Sequence, residues 1–128
     1  MAEAEVADAL YEQAADLVEA GADDIIVETQ TSFEEMGLVI DAAKKAGAPC
    51  IIASMAYDVT ADESTFRTMM GIDPERAAEF MEERGANVVA LNCGTGMDMI
   101  RACEGVKRYR SACDLPVMTQ PNAGLPVL

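Results

Sequence analysis

Arg84-Gly85-Ala86-Asn87-Val88-Val89-Ala90-Leu91-Asn92 decides the fold, because it is the third occurrence of one pattern. Ala20-Gly21-Ala22-Asp23-Asp24-Ile25-Ile26-Val27-Glu28 and Ala46-Gly47-Ala48-Pro49-Cys50-Ile51-Ile52-Ala53-Ser54 are the other two. Each places Gly-Ala after a helical stretch, passes two further residues, and then runs through a short apolar, β-rich segment that ends in polar residues. The glycine reads as the residue just past a helix C-terminus, where left-handed backbone costs least. The continuous apolar run reads as a strand buried on both faces. Strands that alternate with helices mean parallel βαβ units with right-handed connections.

The helices carry their own start signals. A first helix spans 3–20, with Val6, Leu10, Ala14, Leu17 and Val18 as an apolar stripe. Ser32 and Glu35 form a capping box before a helix over 33–46. Asp73-Pro74 sets an N-cap and an N1 proline before a helix over 75–84. A further helix runs from 97 to about 110, and a last strand covers 116–119. The order is helix–strand four times, which suits either an α/β barrel of the TIM type or an open doubly wound sheet. Four βα units make half of a TIM-type (β/α)8 barrel, whose whole length is ~250 residues. Residues 122–128 follow the last strand with no helix to cover it, and a parallel strand wants both faces covered. The expectation is a partial domain over 1–128, truncated at both ends; a self-associating half-barrel is the alternative. The stretch 58–72, with Met69, Met70 and Gly71 near its end, is a long polar loop, either part of an active site or a variable surface connection.

Composition removes several classes. The net charge of -14 argues against nucleic acid, whose phosphates must be met by clustered Lys and Arg. The one dense basic group, Lys107, Arg108 and Arg110, reads as a solvated helix end. No apolar run reaches the ~18–20 residues of a membrane span. The acidic start, Met1-Ala2-Glu3-Ala4-Glu5, is unlike an export signal, so a cytoplasmic location with reduced thiols is expected. The chain has no histidine, which excludes Ser-His-Asp and Cys-His catalysis within it.

In parallel α/β folds the active site lies at the carboxyl ends of the strands. That rule selects Glu28, Thr29 and Gln30; Ser54, Met55 and Tyr57; Asn92, Cys93 and Gly94; and Gln120, Pro121 and Asn122. It also sorts the four cysteines. Cys50 and Cys113 lie near the amino ends of their strands and Cys103 lies in a helix, so these three read as small buried hydrophobes. Cys93 stands at the carboxyl end, beside Gly94-Thr95-Gly96 and shortly before a helix whose N-terminus would favour a thiolate. With no histidine to act as base, a metal-bound thiolate fits Cys93 better than covalent catalysis. One sulfur cannot hold zinc alone, since a catalytic zinc takes about three protein ligands. Glu28 could receive a substrate ammonium group or form a strand-end salt bridge.

Val27-Glu28-Thr29, Ala90-Leu91-Asn92-Cys93-Gly94 and Gln120-Pro121-Asn122-Ala123-Gly124-Leu125-Pro126, with Tyr11-Glu12-Gln13 and the Gly-Ala repeats, resemble the homocysteine-binding domain of the homocysteine S-methyltransferase family. The last of these runs is most similar to the branch containing cobalamin-dependent methionine synthase. The resemblance covers essentially the whole chain and corresponds to the central and later part of a TIM barrel. It implies zinc held by three cysteines. Cys93 matches the first, and the others belong to a Gly-Gly-Cys-Cys motif that this sequence lacks. It implies that Glu28 lies near the amino group of bound homocysteine and that Asn92 and Asn122 line the pocket. The implied reaction is attack of a zinc-activated homocysteine thiolate on a methyl group, giving methionine. The donor could be methylcobalamin on a partner corrinoid domain or protein. Taken alone, the chain is expected to be inactive. A different thiol or methyl substrate within the same family is the nearest rival. A receiver-like binding module would need clustered acids after its first strand and a lysine after its last, and neither is present.

Overall fold

The structure, a computed structural model, describes residues 3–124. Helix α1 (Glu3–Glu19) leads into β1 (Ile25–Gln30), α2 (Phe33–Lys45) and β2 (Ile51–Met55). Two short strands, β3 (Asp58–Val59) and β4 (Phe66–Arg67), come before α3 (Pro74–Arg84), β5 (Val88–Leu91), α4 (Met99–Ala112) and β6 (Val117–Thr119). The main sheet has the order β1-β2-β5-β6, and every neighbouring pair is parallel. A doubly wound sheet needs a point where the strand order reverses. The order here never reverses, so right-handed crossovers put successive helices on the same side, as in a barrel wall.

The predicted start signals act as such. Ser32 Oγ accepts from Glu35 N at 3.1 Å, and Asp73 Oδ1 accepts from Arg76 N at 3.0 Å with Pro74 in the first turn. Gly85 closes α3 in a left-handed conformation at φ 97°. Helix α4 begins at Met99 rather than Met97, because Asp98 caps it by accepting from Arg101 N at 2.9 Å. Met97 is left outside the helix and buried.

The core forms on one side of the sheet. Ile25, Val27, Ile51, Ala53, Met55, Val89 and Leu91 pack against Met36, Ile40, Ala77, Ala78, Met81, Ala102 and Tyr109. Strand side chains alternate between faces, so Ile26, Ile52 and Val88 lie on the other face. Ile26 is 45% exposed, and Ile52 and Val88 are half-buried. The expectation of strands buried on both faces therefore holds only in part within the described residues: Ser54 and Ala90, on the same face as Ile52 and Val88, are fully buried, whereas Ile26, Ile52 and Val88 are not. The α1 stripe is likewise covered only in part. Ala14 is its one buried member and Leu17 is 45% exposed, since α1 packs chiefly on α2.

The stretch 58–72 also departs from a polar loop. It folds back as the antiparallel β3–β4 pair and buries Phe66, Thr68 and Ile72. The Phe66 ring meets Tyr57 edge-on, and the Arg108 guanidinium lies over the ring while pairing with both carboxylate oxygens of Glu75 at 2.6 Å. That double hydrogen bond holds the Glu75 carboxyl below its ordinary range. Beneath this layer, two phenols meet in the core. Tyr109 OH donates to Ala90 O at 3.1 Å, so the 2.7 Å contact between the hydroxyls has Tyr57 donating to Tyr109. Burial raises both phenols well above the usual tyrosine pKa.

Tyr109→Phe should strand the buried Tyr57 hydroxyl without its acceptor, costing about 1–3 kcal/mol in a urea titration of the intact protein. The Glu75 shift predicts a pH effect. A depressed carboxylate contributes stability above its unfolded pKa and loses it as pH falls through the folded one. Stability should therefore decline below the ordinary glutamate value of 4.5, and Glu75→Gln should flatten that part of the profile.

Candidate functional site

The sheet brings three of its strand ends together through side chains. Asn92, immediately after β5, is 3% exposed. Its Oδ1 accepts from Ser54 Oγ of β2 at 2.7 Å. Its Nδ2 donates to Thr29 Oγ1 of β1 at 2.7 Å and to Cys93 Sγ at 3.2 Å. A carboxamide has one acceptor and two donor hydrogens, and all of them are engaged here. Asn92 thus ties β1, β2 and Cys93 to the end of β5, and it is structural glue as much as pocket lining.

The backbone after Cys93 is held just as closely. Thr95 N donates to Asp58 Oδ1 at 2.7 Å, and Thr95 O accepts from Val59 N at 2.9 Å. Gly94 has φ 147°, and a Cβ there would lie 1.5 Å from Tyr57 O. Only glycine lets the Cys93 segment approach the end of β2 so nearly. From β6, Asn122 Nδ2 donates to Gly94 O at 2.9 Å. Asn122 is exposed, and its side chain grips this carbonyl. A cavity of about 250 Å³ opens beside the same segment, lined by Gly96, Met97, Asp98, Arg101, Asn122 and Gly124. A second cavity, of about 510 Å³, lies elsewhere, against Phe33, Gly37, Phe80 and Arg84 of the helices, away from the strand-end residues.

The residues selected from the sequence fall as follows. Glu28, at the end of β1, is exposed on the open face of the sheet. Cys93 is half-buried. The helix start after it is already occupied by the Asp98 carboxylate, so the expected help from that N-terminus is replaced by the Asn92 amide as the donor to the sulfur. Cys50 is half-buried just before β2 and Cys113 is buried at the end of α4. Cys103 is exposed on α4, which corrects its reading as a buried hydrophobe. Leu125 and Pro126 of the last motif lie outside the described residues. Ser54 and Thr29 were visible only as strand-end polar residues, and their direct bonds to Asn92 had no sequence signal.

Among the described residues no three His, Cys, Asp or Glu side chains come together as a metal-holding group. A catalytic zinc takes three protein ligands and an open position, so the residues present do not fit it by themselves. Cys93 offers one sulfur. Among the described residues, no helix is long and apolar enough to cross a membrane.

A model of the family described as homocysteine S-methyltransferase matches residues 1–128. The methionine synthases of Mycobacterium leprae and Mycobacterium tuberculosis are each 28% identical over 123 residues, 96% of this chain. The chain spans only 10% of the length of those relatives. Among solved structures, the homocysteine methyltransferase MmuM from Escherichia coli superposes with a TM-score of 0.71 at 17% identity, covering 92% of this chain and 44% of that one. An isomerase from Streptomyces coelicolor A3(2) gives a TM-score of 0.59 at 15% identity, covering 93% and 29%. At these identities the likenesses establish the fold, a partial (β/α)8 barrel.

Gly94→Ala should displace the Cys93 segment from the end of β2. The added methyl cannot be accommodated against a backbone oxygen, and a loss of at least about 3 kcal/mol in denaturant-monitored stability is expected.

Proposed function

The chain belongs to the homocysteine S-methyltransferase family, and on that premise we propose that it is a segment of an enzyme that transfers a methyl group to the sulfur of homocysteine. The observation that carries this reading is the convergence of Glu28, Asn92, Cys93 and Asn122 at the carboxyl ends of parallel strands. The names borne by its relatives support the acceptor.

In this reading the homocysteine sulfur forms a bond to the methyl carbon, the bond from methyl to donor breaks, and methionine and the demethylated donor leave. Glu28 presents its carboxylate on the open face, where a substrate ammonium group would meet it. Asn92 and Asn122 keep the Cys93 segment in place. Cys93 serves as one thiolate of a zinc site whose other ligands come from parts of the protein beyond these residues, so the segment alone is inactive. The donor is a corrinoid-bound methyl group on another domain or protein that reaches the same strand ends. The chain is then a portion of a barrel domain, and the open sheet face is covered by the remainder.

Cys93→Ser in the intact protein is the direct test. Bound zinc, measured by metal analysis, and homocysteine-dependent methyl transfer should both be lost, by more than the ~10–100-fold that removing an outer-shell partner costs. Retention of both would remove Cys93 from the site.

A further inference from the structure

We infer that Thr29 is a positioning residue of the strand-end site, and that the bulge it occupies sets the directions of both Glu28 and the Asn92 amide. The inference rests on the functional reading above for its substrate. Its geometry is independent of that reading.

In the β1–β2 register Val27 pairs with Ala53 and Gln30 pairs with Met55. Two residues of β1, Glu28 and Thr29, therefore oppose Ser54 alone, which is a β-bulge. Thr29 has φ 62°. A β-branched residue adopts this left-handed conformation only where its surroundings over-determine it. In an unbroken strand Thr29 would face the helices with Val27, since side chains alternate. Instead its Oγ1 accepts from Asn92 Nδ2 at 2.7 Å. The extra residue has turned Thr29 onto the face that carries Glu28, and Gln30 Nε2 closes the bulge by donating back to Glu28 O at 3.2 Å. Bulges next to active sites re-aim side chains in this way.

Packing does not call for threonine here. Thr29 is exposed, and glycine or asparagine would take the same backbone with less strain. The hydroxyl has a specific use. Ser54 fixes Asn92 Oδ1 from one side and Thr29 takes one Nδ2 hydrogen from the other, which leaves the second hydrogen directed at Cys93 Sγ. Without the Thr29 acceptor, the amide is free to turn about its broad terminal torsion. When the bulge relaxes, Glu28 moves with it. Thr29 thus acts through Asn92 and Glu28 and does not itself touch the substrate.

The test compares Thr29→Gly with Thr29→Ser in the intact protein. Thr29→Gly should stay folded with a thermal midpoint near the parent value, because relief of the left-handed strain offsets the unpaired Asn92 hydrogen, while KM for homocysteine rises about tenfold, the size of one lost directing hydrogen bond, and kcat changes less. Thr29→Ser keeps the hydroxyl and should stay within about twofold of the parent in KM. A crystal structure of the Thr29→Gly protein should show the Asn92 amide turned away from Cys93. An unchanged KM in Thr29→Gly, an equal loss in Thr29→Ser, or an undisplaced Asn92 amide would each overturn the inference. If the parent protein transfers no methyl group to homocysteine, the functional reading fails by itself, and the crystal structure still decides the role of Thr29.

Discussion

A parallel strand cannot be followed directly by its neighbour; the chain has to cross back, and it does so through a helix. With the strands in unbroken order β1-β2-β5-β6 and right-handed crossovers, every crossing falls on the same side. The rest of the molecule follows from this. One face of the sheet gains the whole core, from Ile25 to Tyr109, and the other keeps Ile26, Ile52 and Val88 partly open. All carboxyl ends point the same way, so polar residues that leave the core there must meet.

The strand-end residues meet unusually firmly. Asn92 spends both amide hydrogens on Thr29 and Cys93 and accepts from Ser54, while Gly94 is pressed on the Tyr57 carbonyl and held by Asn122. A network with every member satisfied specifies one arrangement, whereas a half-satisfied one would be costly. Behind it, Tyr57 and Tyr109 tie the β3–β4 layer to β5 through Ala90, two residues before Asn92. The site is therefore buttressed from the core side by phenol hydrogen bonds and left open on the other. Among the described non-glycine residues, left-handed backbone occurs at Thr29, beside Asn92, and at Glu63 in the turn between β3 and β4.

The order of elements was legible because its signals are local. Gly21, Gly47 and Gly85 mark helix ends, Ser32 and Asp73 cap helix starts, and apolar runs fill the strands, so each is readable over a few residues. The carboxyl-end rule likewise found Glu28, Asn92, Cys93 and Asn122 without contact information. Reading failed where the signal is not local. The stretch 58–72 looks polar, yet Phe66 is buried, because the Tyr57 ring and the Arg108 guanidinium, the latter far away in sequence, supply its partners. Cys103 looked like core and is exposed, because the helix phase that buries Ala102 turns its neighbour outward.

By itself the sequence determined that the chain alternates helix and strand, that its strands are parallel, and which residues stand at their carboxyl ends, since periodicity, caps and composition act over neighbouring residues. Periodicity left a barrel wall and a doubly wound sheet open; the family resemblance pointed to the barrel, and the strand order in space bore it out. Only the tertiary structure showed that Thr29, Ser54 and Cys93 share one amide, because residues up to 63 positions apart are joined by distance and not by pattern.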